Sequence, residues 1–192
     1  MSTVTIIGTG NMGQAIAGIV TKGGNTAELL GSGDADKPVT GEIVVLAVPY
    51  PSVAQIIAER GEQLAGRVVV DITNPLNFET FDSLVVPADG SAAAEIAAQL
   101  PNSRVLKAFN TNFAGTLASG QVGGAVPTTV LVAGDDADAK AALIGVVSAG
   151  GVSALDSGAL SRARELESIG FLQLTLAAQE KISWTGGFGV VN

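Results

Sequence analysis

The sequence has neither cysteine nor histidine among its 192 residues. Without cysteine there are no disulfides, no thiolate metal ligands and no cysteine nucleophile. Without histidine the chain also lacks the commonest general base and the commonest metal ligand. The acidic run at residues 135–138 is typical of a helix start rather than of a metal centre. We therefore predict that the chain has no metal site.

Charged residues are scarce as well, at 15% of the chain, and the formal net charge is -8. No basic cluster appears, which argues against nucleic acid and anionic membrane surfaces as partners. No apolar run approaches the roughly 20 residues that cross a bilayer. Hydrophobic residues make up 47% of the sequence, enough for a large core. We expect a single cytoplasmic domain over residues 1–192.

The clearest positive signal lies at the start of the chain. Residues 4–7 form a β-branched apolar run typical of a buried parallel strand, and GTGNMG follows at once. Gly8 suits a tight turn, Gly10 lets a pyrophosphate approach the backbone, and Gly13 packs the next helix against the strand. That helix directs its free N–H groups at the phosphates. The motif predicts a dinucleotide-binding site.

Hydrophobic runs alternate with helical patterns along the rest of the chain, which predicts a Rossmann-type, doubly wound parallel sheet of the α/β class. The expected strand order is 3-2-1-4-5-6, with a seventh strand added from the C-terminal third. Glycines and a proline in residues 31–41 disfavour a helix there, so we expect the second helix to be missing. The strands after the first are expected at residues 27–30, 42–48, 67–72, 104–109, 128–133 and 152–155.

The chain is expected to end in a helical extension, a helix over residues 158–178 followed by a tail. One face of this helix is expected to be a buried apolar stripe, and another a solvated charged face. The stripe comprises Leu166, Ile169, Leu172 and Leu176, and the charged face comprises Arg162, Arg164, Glu165 and Glu167. The tail adds Trp184, Phe188 and Val190, so residues 158–192 predict the interface of a homodimer.

The residues after the second strand bear on the choice of dinucleotide. NAD-binding Rossmann folds usually place an acidic residue there, to hold the ribose hydroxyls. Here small and hydroxylated residues stand at that point, and Ser32 and Lys37 suit a 2′-phosphate. Asp34 offers the alternative of a ribose diol and hence NAD, and GSGD also suits a plain turn. We expect NADP, with NAD as the alternative.

Several segments occur in the order and at roughly the spacing of a known family: GTGNMG, LLGSGD, VVLAVPY, VVVDITNPLN, RVLKAFNT, LVAGDDADAK and ALDSGALSRARELE. Over essentially its whole length the chain resembles the NADP oxidoreductases that use coenzyme F420, an 8-hydroxy-5-deazaflavin. DITNP, KAFN and DSGAL equally resemble the cytosolic reductase domain of the six-transmembrane metalloreductases. Those proteins add membrane helices and haem, which this sequence lacks.

The resemblance implies hydride transfer between a nicotinamide and a flavin or deazaflavin, a reaction that needs no catalytic side chain because the cofactors carry the reactive carbons. By the family pattern, Gly8, Thr9, Gly10, Asn11 and Met12 would bind pyrophosphate, Ser32 and Gly33 the ribose phosphate, and Val48, Pro49 and Tyr50 the adenine side. Asn74, Pro75, Phe109, Asn110 and Thr111 would border the nicotinamide. Relatives usually carry arginine where this chain has Gly33, which keeps NAD as an alternative.

Two other functions fit the sequence. The chain suits a non-catalytic sensor that binds NADP(H) and reports to a partner protein at an exposed sheet edge. Lys107 and Asn110 also resemble the Lys-x-x-Asn pair of β-hydroxyacid dehydrogenases, although there the pair lies on a helix of a large second domain. A dehydrogenase of a small hydroxyacid or imine that uses Lys107 is therefore the third hypothesis. Tyr50, the one tyrosine, is expected to be a pocket wall.

Overall fold

Short aliphatic runs form the strands of this protein, and the segments between them form helices. The computed structural model describes residues 1–191. The strands are β1 Thr3–Ile7, β2 Thr26–Leu30, β3 Ile43–Leu46, β4 Val68–Asp71, β5 Arg104–Lys107, β6 Gln121–Val122, β7 Val126–Pro127, β8 Thr129–Gly134 and β9 Ser153–Gly158. The helices are α1 Asn11–Lys22, α2 Tyr50–Leu64, α3 Ala92–Gln99, α4 Ala114–Ser119, α5 Ala137–Ala149 and α6 Ala163–Ala178, the last preceded by a 3₁₀ turn at Leu160–Arg162. Within the described residues, no helix is long and apolar enough to span a bilayer.

The main sheet has seven strands in the order β2-β1-β3-β4-β5-β8-β9. All neighbours pair in parallel except β5 and β8, which are antiparallel, and β6 and β7 form a separate ribbon. The Rossmann-type class and the added seventh strand are thereby confirmed. The expected order 3-2-1-4-5-6 is wrong, because β3 pairs with β1 on the side away from β2.

The connector between β2 and β3 explains this order. Residues 31–42 contain no helix, as their glycines and proline predict. The Arg60 guanidinium donates instead to the carbonyls of Asp34 and Lys37, at 2.5 and 2.7 Å, and Arg67 donates to those of residues 39–41. These side chains satisfy carbonyls that a helix would pair internally. The irregular connector leads from β2 back past β1, and β3 therefore pairs with the side of β1 that faces away from β2.

The sheet is covered on both faces, as a parallel sheet requires. Every residue of β3 and β4 is buried. One core cluster joins the sheet to apolar residues of α1, α4 and α5, and the other joins it to residues of α2 and α3. The carboxyl ends of the parallel strands therefore meet at one edge, where α1 begins and α6 packs.

The position of α6 confirms the predicted C-terminal helix, but its buried face differs from the expected stripe. Leu166 is buried, whereas Ile169 and Leu172 are 36% and 51% exposed. The buried positions are Ala163, Leu166, Glu167, Gly170, Gln173 and Ala177. The helix is rotated away from its leucine stripe because Glu167 and Gln173 have polar partners in the interior.

Candidate active site

The turn from β1 into α1 builds a cradle for an anion. Gly8 has a φ of +124°, and a Cβ there would lie 2.0 Å from the Ala47 carbonyl oxygen, so only glycine fits. No side chain of residues 1–191 caps α1, whose first residue is Asn11. A Cβ added at Gly10 would meet no atom of the described residues within 4 Å. The helix thus presents uncapped N–H groups to open space, an arrangement that fits a pyrophosphate.

A cleft of about 310 Å³ lies beside this turn, at the carboxyl ends of β1 and β2. Of the residues predicted to bind the cofactor, it brings together Gly8, Thr9, Ser32 and Val48. Arg60 also lines the cleft, and the sequence analysis missed it. In the sequence Arg60 is a lone arginine within α2. It lies far from the residues that follow β2, so its spacing does not connect it with them. Gly33 and Pro49 are exposed and do not line the cleft.

Lys37 and Asp34 form a pair at the rim of this region rather than in the cleft. The Lys37 ammonium lies 2.9 Å from the Asp34 carboxylate, and the Lys37 side chain is 65% exposed. The second Asp34 oxygen accepts the Gly31 amide at 2.8 Å. The Gly31 amide, and after it the Lys37 ammonium, hold the pKa of the Asp34 carboxyl below its ordinary value. Asp34 therefore closes the turn after β2, with each oxygen engaged inside the protein.

A second cleft, of about 420 Å³, opens at the carboxyl edge of the sheet. Four predicted residues meet in it: Asn11 and Met12 from the start of α1, Asn74 after β4, and Asn110 after β5. Asn112, Phe113 and the distant Trp184 line it too, and none of these three was predicted as a site residue. Only the tail's return across the site, which sequence spacing does not reveal, places Trp184 there.

Asn74 and Asn110 form a rigid pair in this second cleft. Asn110 Nδ2 donates to Asn74 Oδ1 at 2.9 Å, and Asn74 Nδ2 donates to the Asn110 carbonyl at 2.9 Å. Asn110 Nδ2 also donates to the Leu166 carbonyl of α6 at 2.8 Å. A Cβ at Gly170 would lie 2.2 Å from Asn74 Oδ1, so this glycine lets α6 approach the pair. The two amides are thus fixed in orientation by their neighbours.

The other predicted nicotinamide residues lie behind the cleft wall. Pro75 and Thr111 are buried, and the Thr111 carbonyl accepts a hydrogen bond from Gln173 at 3.1 Å. The Phe109 ring is 1% exposed and belongs to the core. Phe109 has a φ of +63°, a strained conformation for a residue with a side chain. This turn ends β5 and brings Asn110 to the cleft.

Tyr50 at the start of α2 lines neither cleft. Its hydroxyl donates to the Glu95 carboxylate of α3. Burial, and after it the Glu95 carboxylate, raise the pKa of the Tyr50 hydroxyl above its ordinary value. This hydroxyl links two helices and remains protonated at neutral pH.

Lys107 is fully buried beneath the second cleft. Its ammonium donates to Asp71 at 2.7 Å, to the Thr73 carbonyl at 2.6 Å and to Glu167 at 2.8 Å. The expectation that Glu167 lies on a solvated helix face is wrong, because its side chain is 1% exposed and pairs with Lys107. Burial raises the pKa of the Glu167 carboxyl above its ordinary value, against the opposing pull of the Lys107 ammonium. With three partners and no exposure, the ammonium has no path to a substrate.

The chemistry open to the second cleft follows from what lines it. Its described lining consists of amides, small residues, aliphatic side chains and two aromatic rings, with no titratable group. Within residues 1–191, no cluster of carboxylates is arranged to hold a metal ion. The cleft can bind and orient flat apolar rings beside the α1 cradle, and it offers no acid, base or nucleophile.

Comparisons with known proteins agree with this geometry. No protein-family model matches the chain. The chain is 31% identical over 172 residues to the F420-dependent NADP reductase of Methanocaldococcus jannaschii, covering 88% of this chain and 76% of that protein. It is 34% identical over 131 residues to the metalloreductase STEAP3 of Rattus norvegicus, covering 67% of this chain and 25% of that protein. A candidate F420-dependent NADP reductase of Arthrobacter sp. FB24 has the same fold, with a TM-score of 0.84, 24% identity and complete coverage of both chains.

The fold and these relatives place the chain among the NADP-dependent oxidoreductases of Rossmann type. It belongs to the F420-dependent NADP reductase family. The resemblance to this family, inferred from seven segments between GTGNMG and ALDSGALSRARELE, is thereby confirmed.

The cradle can be tested with Gly10→Ala. Its Cβ meets no atom within residues 1–191, and the φ of -71° suits alanine, so stability should change by less than about 1 kcal/mol. Calorimetry should show NADPH binding weakened about tenfold or more, because the methyl group would lie in the path that the motif predicts for the pyrophosphate. Gly13→Ala should instead destabilise the fold, because its Cβ would lie 2.1 Å from the Gly8 carbonyl oxygen. It shows how a loss of folding, as opposed to a loss of binding, appears in the same measurements. Wild-type affinity in Gly10→Ala would place the pyrophosphate elsewhere.

Proposed function

We propose that the protein transfers a hydride between NADP(H) and a deazaflavin of the coenzyme F420 type. In the reducing direction NADPH, the oxidised deazaflavin and one proton give NADP⁺ and the reduced deazaflavin. The names of the relatives, F420-dependent NADP reductases, support this choice of acceptor. The reactive carbons belong to the two bound molecules, and the protein's part is to hold them face to face.

The observation that carries the proposal is the second cleft, an apolar site without a titratable lining group in the described chain. Hydride transfer between two ring carbons needs orientation and exclusion of water, and it needs no side-chain acid or base. A dehydrogenase of hydroxyacids needs a base to take the hydroxyl proton, and the candidate for that role, Lys107, is wholly buried. The cleft therefore favours a flavin-like acceptor over a hydroxyacid.

We assign the cofactor's parts along the edge of the sheet. The uncapped start of α1 receives the pyrophosphate, and the first cleft receives the adenosine. The nicotinamide then lies at Met12 and the Asn74–Asn110 pair, in the second cleft. This path runs across the carboxyl ends of the parallel strands, where ligands of open α/β sheets bind.

Acceptor profiling tests the function. Oxidation of NADPH should be supported by coenzyme F420 far better than by FMN or riboflavin, and NADPH should be preferred to NADH. The reaction is followed by absorbance, with Asn110→Ala as a variant in which the amide pair is lost and turnover should fall. NADPH binding without turnover on any of these acceptors would favour the sensor instead. Turnover of hydroxyacids or imines would contradict the proposal.

We infer that the selectivity for NADP comes from Ser32 and Arg60. Ser32 is exposed at the mouth of the first cleft, and Arg60 is the cation that lines it. Arg60 uses one N–H of each terminal nitrogen on the connector carbonyls, which leaves further donors on its guanidinium. Arg60 thus takes the role that an arginine at the position of Gly33 has in related sequences. Lys37 contributes at longer range, because it is already paired with Asp34.

Ser32→Asp tests this selectivity. The new carboxylate faces the 2′-phosphate and removes a hydrogen bond, and losing a charged hydrogen bond costs about 1.5–3 kcal/mol. Calorimetry should show NADPH affinity lowered about tenfold or more, with NADH affinity unchanged or improved. Ser161→Asp adds the same charge at an exposed position outside both clefts and should change neither constant. A wild-type protein that prefers NADH would refute the assignment of Ser32 and Arg60.

We also propose that the protein is a homodimer, joined through the outer face of α6 and the tail. Ile169, Leu172, Phe188 and Val191 are 36%, 51%, 48% and 80% exposed, an apolar surface that a second copy would cover. Sedimentation velocity at micromolar concentration should show a dimer. Leu172→Glu should shift it to a folded monomer, since this side chain is 51% exposed within one chain. A wild-type monomer would contradict the proposal.

A further inference from the structure

The C-terminal tail after α6 returns across the fold and is fastened to it at two points. The Gly123 amide donates to the Thr185 carbonyl at 2.7 Å. Gln173 of α6, which is 2% exposed, accepts the Phe188 amide at 2.9 Å and donates to the Thr111 carbonyl at 3.1 Å. The tail is therefore tied both to the β6–β7 ribbon and to the loop that carries Asn110.

These ties set the ring of Trp184 at the second cleft. Trp184 packs against Phe113, with ring centroids 5.0 Å apart and planes at 57°. Gly115 of α4 allows this approach, since a Cβ there would lie 3.1 Å from the Trp184 carbonyl oxygen. The backbone of Trp184 is thus held by the fold, yet the residue remains 54% exposed. A large aromatic residue that is fixed in place and half exposed offers a surface on which a flat ring can stack.

We propose that Trp184 is the stacking platform for the acceptor's tricyclic ring. The inference rests on the proposed function and adds to it the residue that holds the second substrate. Trp184 lines the same cleft as Met12 and the amide pair, where the nicotinamide is assigned. A flat ring stacked on Trp184 therefore shares this cleft with the nicotinamide, and hydride transfer requires the two rings to be held next to each other. Ring stacking of this kind tolerates different substituents, because every such ring has a π face.

The other candidate occupant of this surface is the second copy of the chain. Trp184 differs from the remaining exposed apolar residues of α6 and the tail, because it lines the cleft while Leu172, Phe188 and Val191 lie outside it. The surface that a second copy covers and the surface that an acceptor covers are thus separable by substitution.

The chain has one tryptophan, which makes its fluorescence a direct report on the platform. Coenzyme F420 titrated into the wild-type protein, with NADP⁺ present so that no reaction occurs, should quench this fluorescence to saturation. NADP⁺ alone should quench it much less. Saturable quenching supports the platform whether or not turnover is seen, whereas turnover of F420 without saturable quenching overturns it and leaves the proposed function intact.

Substitutions give the second readout. Trp184→Ala should raise the KM for F420 by about tenfold or more and leave the KM for NADPH unchanged, as loss of ring stacking predicts. Trp184→Phe should recover most of the affinity. Phe188→Ala removes an exposed tail aromatic that belongs to the proposed dimer surface and lies outside the cleft, so it should leave both KM values unchanged. An unchanged KM for F420 in Trp184→Ala overturns the platform. If that variant instead only dissociates the dimer in sedimentation, Trp184 belongs to the subunit interface and the proposal is wrong.

Discussion

The buried ammonium of Lys107 is the constraint on which the site depends. An ammonium removed from water must find carboxylates and hydrogen-bond acceptors in good geometry, or its burial is strongly unfavourable. Lys107 of β5 finds three acceptors on two other segments: Asp71 and the Thr73 carbonyl at the end of β4, and Glu167 on α6. Once the charge is buried, the relative positions of these segments at the carboxyl edge are determined. The role of Lys107 is therefore structural, in a position where related chemistry suggested a catalytic base.

The Asn74–Asn110 amide pair is positioned by the same segments that hold Lys107. The carbonyl of Thr73 precedes Asn74, and the Leu166 carbonyl that holds Asn110 precedes Glu167 in the chain. Glu167 also accepts the Ala92 and Ala93 amides at 2.9 and 3.3 Å, so the same carboxylate binds the first turn of α3. The charge cluster, the amide pair and two helices thus form one connected unit. A cleft without a reactive side chain can still orient bound rings, because its walls are rigid.

Local patterns predicted the parts of this protein that are local in origin. The glycine motif, the irregular connector and the seventh strand came from residue types and spacing, and Asn74 and Asn110 came from family motifs. The strand order was wrong because pairing of β3 with β1 depends on where a helix-free connector leads, which no hydrophobic period encodes. The buried face of α6 was wrong for a related reason. Glu167 and Gln173 occupy the buried face of α6 in place of some of its leucines. Each hydrogen-bonds to a partner that lies 60 or 62 positions away in the chain. Arg60 was not predicted as a site residue, and Trp184 was predicted for a dimer interface and not for a cleft, because the folding of the chain, and not sequence neighbourhood, brings them to their clefts.

The reach of Glu167 has a consequence for the order in which the chain acquires structure during synthesis. Its bonds to Ala92 and to Lys107 span 75 and 60 positions. While a ribosome is still making α6, the start of α3 and the Lys107 ammonium each lack one acceptor, although the strands around them are already complete. Contacts that close such long loops form more slowly than helices do, because the entropy of loop closure must be overcome first. The second cleft, whose lining includes Trp184, is therefore completed only after α6 and the tail have docked, whereas the first cleft is lined by residues 7–60 alone.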